Sequence, residues 1–149
     1  MQEPWPFSII HSPIWFGHKF KGAGLRYEVG LSIIGGDIVW LNGPFPCGQM
    51  NDMQIFRDFG MKDALEEGER VEADDGYAAL DPEYVKTRSS PLHSIEMRDV
   101  RNSIRARHET VNKRLKQWGV LREVFRHDSS KHSMCFRAVA VLTQLSIEN

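Results

Sequence analysis

Two acidic residues of the sequence, Asp74 and Glu109, occupy positions from which they could hold a metal ion. Asp74 ends a short extended segment at residues 70–74, immediately before an Asp75-Gly76 turn. A carboxylate at the C-terminal end of a strand points into the crevice where α/β sheets bind ligands. Glu109 lies in the middle of a long helical segment. Carboxylates from two different elements suit a hard cation such as Mg²⁺, and pairs of such ions about 4 Å apart catalyse phosphoryl transfer on nucleic acids.

The helical segment around Glu109 is locally basic, although the whole chain has a formal charge of −1. If the ligand is a nucleic acid, whose phosphates attract positive charge, Arg105, Lys113 and Lys116 are the candidate contacts. Two other interpretations stay open: i,i+4 ion pairs around Glu109 on a wet surface, or a solvated charged face. The cations of the segment are Arg101, Arg105, Arg107, Lys113, Arg114 and Lys116.

A β-hairpin is predicted in the first third of the chain. Apolar side chains alternate with polar or small ones from Leu25 to Ile33, which indicates a strand with one buried face. Gly35 and Gly36 then allow the positive φ angles that a tight turn needs. Residues 37–42 return as the second strand.

Shorter elements follow the hairpin. Asn51 or Asp52 is a suitable N-cap for a helix, whose inward-facing side chains are predicted to be Ile55, Phe56 and Phe59. Residues 70–74 are a predicted strand, and a weaker extended stretch covers residues 83–88.

Two helices are predicted to complete an α/β fold. The first runs from about residue 94 to Trp118, ends at Gly119, and carries one apolar stripe made of Ile104, Val111, Leu115 and Trp118. The second covers about residues 130–145. It is apolar around most of its circumference, which predicts burial, through Met134, Phe136, Ala138, Val139, Val141, Leu142 and Leu145.

The composition is that of a single globular domain. The chain has 149 residues, of which 41% are hydrophobic and 26% charged, and these values exclude a disordered chain and two ordinary domains. Cys47 and Cys135 have no zinc-site spacing, so reduced, buried thiols are expected rather than a disulfide. Without an apolar run long enough to span a bilayer or a signal peptide, the chain is predicted to be soluble and intracellular.

Several local strings resemble the DDE-superfamily transposase endonucleases of the Harbinger-like type. The hairpin region matches through Leu25-Arg26-Tyr27-Glu28-Val29-Gly30-Leu31, Gly36-Asp37-Ile38-Val39-Trp40, Gly43-Pro44-Phe45-Pro46 and Asn51-Asp52. The second catalytic motif of that family is similar to Ala73-Asp74-Asp75-Gly76-Tyr77. The third is similar to Arg107-His108-Glu109-Thr110-Val111-Asn112-Lys113-Arg114-Leu115-Lys116. Thirty-four residues separate Asp74 from Glu109, in line with the spacing of this group.

This resemblance implies a partial DDE endonuclease domain over residues 1–149. The implied fold is an incomplete ribonuclease-H-like one, a mixed sheet with a β-hairpin and C-terminal helices. Asp74 and Glu109 would be its catalytic and metal-binding acids, holding Mg²⁺ or Mn²⁺ weakly, with DNA as the partner and a nuclear location in a eukaryote. Asp52 matches a recurrent aspartate of the family and is expected to cap a helix rather than to contact the metal. His108 is expected to pack rather than to contact a substrate phosphate.

The family's first catalytic aspartate precedes a segment similar to Gln2–Phe7, so the resemblance also implies that the chain is truncated at its N-terminus. Little nuclease activity is then expected, together with self-association through exposed sheet edges. Two alternatives stay open. One is a non-catalytic DNA-binding or protein-interaction module derived from the same fold. The other is a structural domain whose acids have no role.

Overall fold

The chain forms two compact units. A computed structural model describes residues 13–18, 21–91, 94 and 97–148, so the segment Gln2–Phe7 lies outside the described residues. The hairpin unit consists of Met1–Met50 together with Arg107–Asn149, and the central unit is Asn51–Ala106.

Two antiparallel strand pairs begin the hairpin unit. Strands β1 (Phe16–Gly17) and β2 (Gly22–Ala23) form a short pair. Strands β3 (Leu25–Leu31) and β4 (Ile38–Pro46) form the long hairpin, which confirms the hairpin prediction. Gly36, with φ +79°, takes the left-handed conformation in the turn that glycine adopts at least cost. Ile33 lies in this turn and is exposed, so its predicted place on the buried face is wrong.

Helices pack on one face of the hairpin. They are α3 (Arg98–Leu115), α4 (Gly119–Arg122) and α5 (His132–Glu148). The second half of α3 belongs to the hairpin unit. A 3-10 turn at Ser129–Lys131 precedes α5. The centre of the core consists of Val111, Leu115, Val139 and Ala140. Packed against it are Val29, Leu31, Ile38, Leu41, Val120, Leu121 and Ile147. Burying this apolar surface is the main stabilising contribution to the unit.

The end of α3 differs from the prediction. The helix ends at Leu115, and Gly119 begins α4 instead of terminating α3. Gly119 does not have the positive φ of a C-terminal helix cap. Its carbonyl instead accepts a hydrogen bond from Glu123 N. Trp118 therefore lies in the connection between two helices, where it is exposed and not part of the buried stripe.

Helix α5 is buried on one side only. Phe136, Val139, Ala140 and Thr143 are buried, whereas Met134, Val141, Leu142 and Leu145 are exposed. The predicted burial around most of the circumference is therefore wrong, because among the described residues the hairpin unit supplies a packing partner for one face alone. Gln144 ties this helix to the hairpin: its Oε1 accepts from Ile38 N at 2.8 Å and its Nε2 donates to Asp37 Oδ1 at 2.8 Å.

An aromatic cluster connects the start of α5 to β3. The Tyr27 hydroxyl and His132 Nδ1 are 2.7 Å apart, and the Tyr27 ring stacks on Phe136 with centroids 3.7 Å apart. Burial raises the pKa of Tyr27 to about 12, so its hydroxyl is protonated at neutral pH. Burial also lowers the pKa of His132 from its ordinary value of 6.5.

The buried imidazole makes stability depend on pH. Because the folded state disfavours imidazolium, the unfolded chain takes up this proton more readily. The contribution of His132 is thus complete above a pH of about 6.5 and is lost as the pH falls from there through the folded pKa. We expect the urea midpoint to fall between about pH 7.5 and pH 5.5, and to fall less in His132→Gln. His127→Gln, at an exposed position, is the control; equal pH dependence of wild type and His132→Gln would contradict burial as the cause.

The central unit begins with a capped helix. The side chain of Asn51 accepts from Gln54 N at 2.8 Å and Gln54 Oε1 accepts from Asn51 N, a complete capping box. Helix α1 (Asp52–Phe59) buries Ile55 and Phe56, and α2 (Met61–Ala64) follows it. Asn51 is therefore the cap and Asp52 the first helical residue. Phe59, predicted to point inward, is half-exposed at the helix end.

A parallel strand pair completes the central unit. Strand β5 (Val71–Glu72) pairs with β6 (Val85–Lys86), and the 3-10 helix Asp75–Leu80 lies between them in sequence. Both strands fall within the predicted extended segments. Across the residues that the structure covers, the strands form three separate two-stranded sheets, so the predicted single mixed sheet is not observed.

Two further predictions concern the cysteines and the membrane. Cys47 and Cys135 are both free thiols, as predicted, but they are half-buried rather than buried. No helix in the described parts of the chain combines the length and the apolar character that crossing a bilayer requires.

Candidate active site

Asp74 lies two residues beyond the end of β5 and is exposed. It is the N-cap of the 3-10 helix Asp75–Leu80, because its Oδ1 accepts from Gly76 N at 2.9 Å. Its second oxygen, Oδ2, accepts no hydrogen bond from the described residues. The turn thus fixes the carboxylate through one oxygen and leaves the other directed to solvent.

The residues next to Asp74 hold the turn in place. Asp75 Oδ1 accepts from Arg88 N at 3.2 Å, just after β6. The Tyr77 ring meets Phe56 edge-on, with centroids 5.8 Å apart. A partly buried ion pair supports the neighbouring strand, with Arg101 Nε 2.8 Å from Glu72 Oε1. The aromatic residue of the predicted motif therefore anchors the turn, and Asp75 has a structural contact.

Glu109 lies on the part of α3 that belongs to the hairpin unit. Val111 and Leu115 are buried on that helix. Because successive residues of an α-helix are rotated by about 100°, Glu109 lies on the opposite side of it. Glu109 is exposed and forms no hydrogen bond or ion pair with another described residue. The i,i+4 ion pairs that one interpretation placed around Glu109 are therefore absent among the described residues.

An open depression with cationic and amide side chains adjoins Glu109. Its lining residues are Glu109, Asn112, Lys113, Lys116, Gln117 and Arg122. The depression has one carboxylate and three cations, of which Arg122 forms an ion pair with Glu123 at 2.8 Å. The remaining positive charge suits an anionic ligand such as a phosphate. The sequence interpretation missed Gln117 and Arg122. Helical periodicity from Glu109, continued to the predicted helix end at Trp118, could have identified Gln117. Arg122 lies beyond that predicted end and has no such signal.

Several cations of α3 have structural roles instead. Arg101 Nη2 donates to Thr87 O at 2.9 Å in addition to its ion pair with Glu72. Arg107 Nη1 donates to Ile33 O at 2.8 Å in the hairpin turn, and Arg114 Nη1 donates to Ser146 O at 3.3 Å on α5. Among the predicted nucleic-acid contacts, Arg105 is half-buried in the central unit, whereas Lys113 and Lys116 are exposed in the depression.

His108 is exposed and forms a hydrogen bond with the hairpin. Its Nε2 lies 3.3 Å from Val29 O, and because a carbonyl oxygen only accepts, Nε2 is the donor. Nδ1 is then the acceptor for Asn112 Nδ2 at 3.2 Å. This pair of contacts orients Asn112, a lining residue of the depression.

The two candidate acids belong to different units: Asp74 to the central unit and Glu109 to the hairpin unit. Within the described residues, no three His, Cys, Asp or Glu side chains are grouped closely enough to hold a metal ion. The pairing of Asp74 with Glu109 therefore stays a prediction.

The charge of the chain is distributed unevenly. The hairpin unit contains eleven Lys or Arg and seven Asp or Glu, a net charge of +4, whereas the central unit contains eight and thirteen, a net charge of −5. The overall charge of −1 conceals this difference. A polyanion is therefore attracted to the hairpin unit and repelled by the central unit.

A comparison with protein families identifies the class of protein. The sequence profile of the DDE superfamily endonucleases matches residues 9–144, and the chain belongs to this family. The match includes both Asp74 and Glu109. Searches of the curated proteins and of the solved structures gave no match.

Proposed function

We propose that the chain is a transposase-derived endonuclease domain of the Harbinger-like type, with Asp74 and Glu109 as its second and third metal-binding acids. The observation that carries this proposal is the family match, which spans both residues. Their exposure and the open Asp74 Oδ2 support it, because neither carboxylate is consumed by a structural ion pair. A ribonuclease-H-like arrangement and, in a eukaryote, a nuclear location belong to the same proposal.

The donor set suits Mg²⁺ or Mn²⁺. Both candidate ligands are carboxylates, which hard divalent cations prefer over nitrogen or sulfur. A bound divalent ion supplies activation of the attacking oxygen and stabilisation of the leaving oxygen. The chain's own contribution is to orient Asp74 through the Gly76 hydrogen bond and to present Glu109 on a helix fixed by Val111 and Leu115.

DNA is the proposed substrate, and its phosphates would contact the depression beside Glu109. Lys113, Lys116 and Arg122 supply the positive charge there, while Asn112 and Gln117 supply neutral donors. Phosphate contacts of this kind position a duplex without reading its sequence.

Calorimetric titration with Mn²⁺ tests the metal site. We expect Asp74→Asn and Glu109→Gln each to weaken Mn²⁺ binding at least about 10-fold. Asparagine keeps the oxygen that accepts from Gly76 N, so this variant removes the charge and retains the turn. Asp75→Asn and Glu123→Gln are the matched controls, because these exposed acids are not candidate ligands. Unchanged binding in both Asp74→Asn and Glu109→Gln would refute the site.

The residues from Met1 to Asn149 supply two candidates for the three acids of a DDE site. We therefore propose that this polypeptide by itself binds the ion weakly and cleaves DNA little. Rapid cleavage that is abolished by Asp74→Asn would contradict this expectation and support a complete site.

The alternative function is a non-catalytic DNA-binding or protein-interaction module. The positive charge of the hairpin unit favours it, and salt-dependent DNA binding without Mn²⁺ binding would select it. We also propose self-association through strand edges, because β3 and β5 each pair with one strand only among the described residues.

A further inference from the structure

A continuous apolar stripe runs along the outer face of α5. Its large side chains are Met134, Val141, Leu142 and Leu145, which are 66%, 59%, 46% and 51% exposed. Ala138, also exposed, lies between them. The spacing 134, 138, 141, 145 alternates four and three residues, the pattern that keeps side chains on one face of a helix packed against another helix. The stripe thus has the geometry of a helix–helix interface.

The orientation of the stripe is fixed by the opposite face of α5. Phe136, Val139, Ala140 and Thr143 are buried in the hairpin unit, and Gln144 holds the helix to the hairpin by two hydrogen bonds of 2.8 Å. The helix cannot rotate to bury Met134 or Leu145 without exposing these residues. Among the described residues, the apolar stripe therefore stays at the surface.

The area and charges of the stripe fit a second copy of the same chain. The exposed side chains present roughly 400 Å² of apolar surface, about half of the ~800 Å² that each partner buries in a standard interface. Such interfaces are slightly more than half apolar. The charged residues that border the stripe among the described side chains are Lys131 and Arg137, both cations towards the N-terminal end of α5. In parallel pairing they would face their own copies, and repulsion would result.

We propose that two copies of the chain associate through antiparallel packing of their α5 helices. A two-fold axis near the middle of the stripe brings Met134 opposite Leu145 of the second copy and Ala138 opposite Val141 of the second copy, and each contact occurs twice. The small Ala138 side chain lets the helices approach closely where Val141 is inserted. Lys131 and Arg137 then lie towards the negative C-terminal end of the other α5.

Sedimentation velocity over a dilution series tests this interface. We expect the wild-type chain to form a dimer and Val141→Lys to weaken it by roughly 100-fold, because the change buries an unpaired charge. Val124→Lys is the matched control: Val124 is 73% exposed and lies outside α5, and this variant should dimerise as the wild type does. Circular dichroism of both variants checks that they fold.

Disulfide cross-linking tests the orientation in the otherwise native chain, with Cys47 and Cys135 replaced by serine. We expect a mixture of Met134→Cys and Leu145→Cys chains to cross-link with each other, while Met134→Cys alone gives little dimer. This test remains available if Val141→Lys fails to fold.

Three outcomes would overturn the proposal. The first is a wild-type chain that is monomeric even at about 100 μM. The second is a dimer that Val141→Lys leaves intact, which would point to the strand edges. The third is efficient cross-linking of Met134→Cys with itself, which would require parallel helices.

Discussion

Replacing Lys113 and Lys116 by glutamate is expected to lower the affinity for duplex DNA roughly 100-fold at about 50 mM salt. Both side chains are exposed and line the depression beside Glu109. Each phosphate contact releases about one counterion, so the slope of log K against log salt should decrease by about 2. The loss should be similar for unrelated DNA sequences, because phosphate contacts carry no sequence information. Fluorescence anisotropy at several salt concentrations measures both quantities.

The control for this prediction is a second double charge reversal, Arg57→Glu with Lys62→Glu. It changes the net charge by the same amount but lies in the central unit, which is acidic overall. We expect it to change affinity by less than about 3-fold. Equal losses in both double variants would mean that DNA responds to net charge alone, and the depression would then not be a binding surface.

The parts of the fold that the sequence predicted are those set by local chemistry. The alternation from Leu25 and the Gly35-Gly36 turn gave the hairpin, because a two-residue period and a left-handed glycine are local properties. Asn51 was identified as a possible cap because a short polar side chain before an apolar run satisfies the first amides of a helix.

Errors occurred where burial depends on what lies beside an element. Helix α5 has apolar residues on nearly all sides, but periodicity cannot say how many of its faces have a neighbour. Trp118 continues the apolar stripe of α3 in sequence, yet the helix ends at Leu115 and the tryptophan leaves the core. The same limit applies to Phe59, which lies at the end of α1, where the helix no longer packs.

The sequence motifs select the two candidate acids but do not describe the residues around them. Asp74 and Glu109 were selected by their motifs, and both proved exposed. The residues around Glu109 were only partly predictable, because Arg101, Arg107 and Arg114 resemble Lys113 in sequence but donate to carbonyl oxygens of neighbouring segments. Which cations of a basic helix have such structural contacts is decided by the tertiary fold, which no spacing rule contains.

Leu115→Ala is expected to lower the free energy of unfolding of the hairpin unit by about 2–5 kcal/mol. Leu115 is buried and packs with Val111, Val139 and Ala140 at the centre of the core. Removing its side chain loses transfer free energy and leaves a cavity between α3 and α5. Urea unfolding followed by tryptophan fluorescence measures the change, because all four tryptophans of the chain belong to this unit.

Val124→Ala is the control for Leu115→Ala, because Val124 is exposed and its truncation should change stability by no more than about 0.5 kcal/mol. Leu115 also lies on the helix that presents Glu109, six residues further on. If Glu109 binds Mn²⁺, the cavity variant should bind it more weakly even where it is fully folded, since loosened packing lets the end of α3 fray. Similar urea midpoints for Leu115→Ala and Val124→Ala would mean that this cluster is not the core, and that Glu109 is positioned by other contacts.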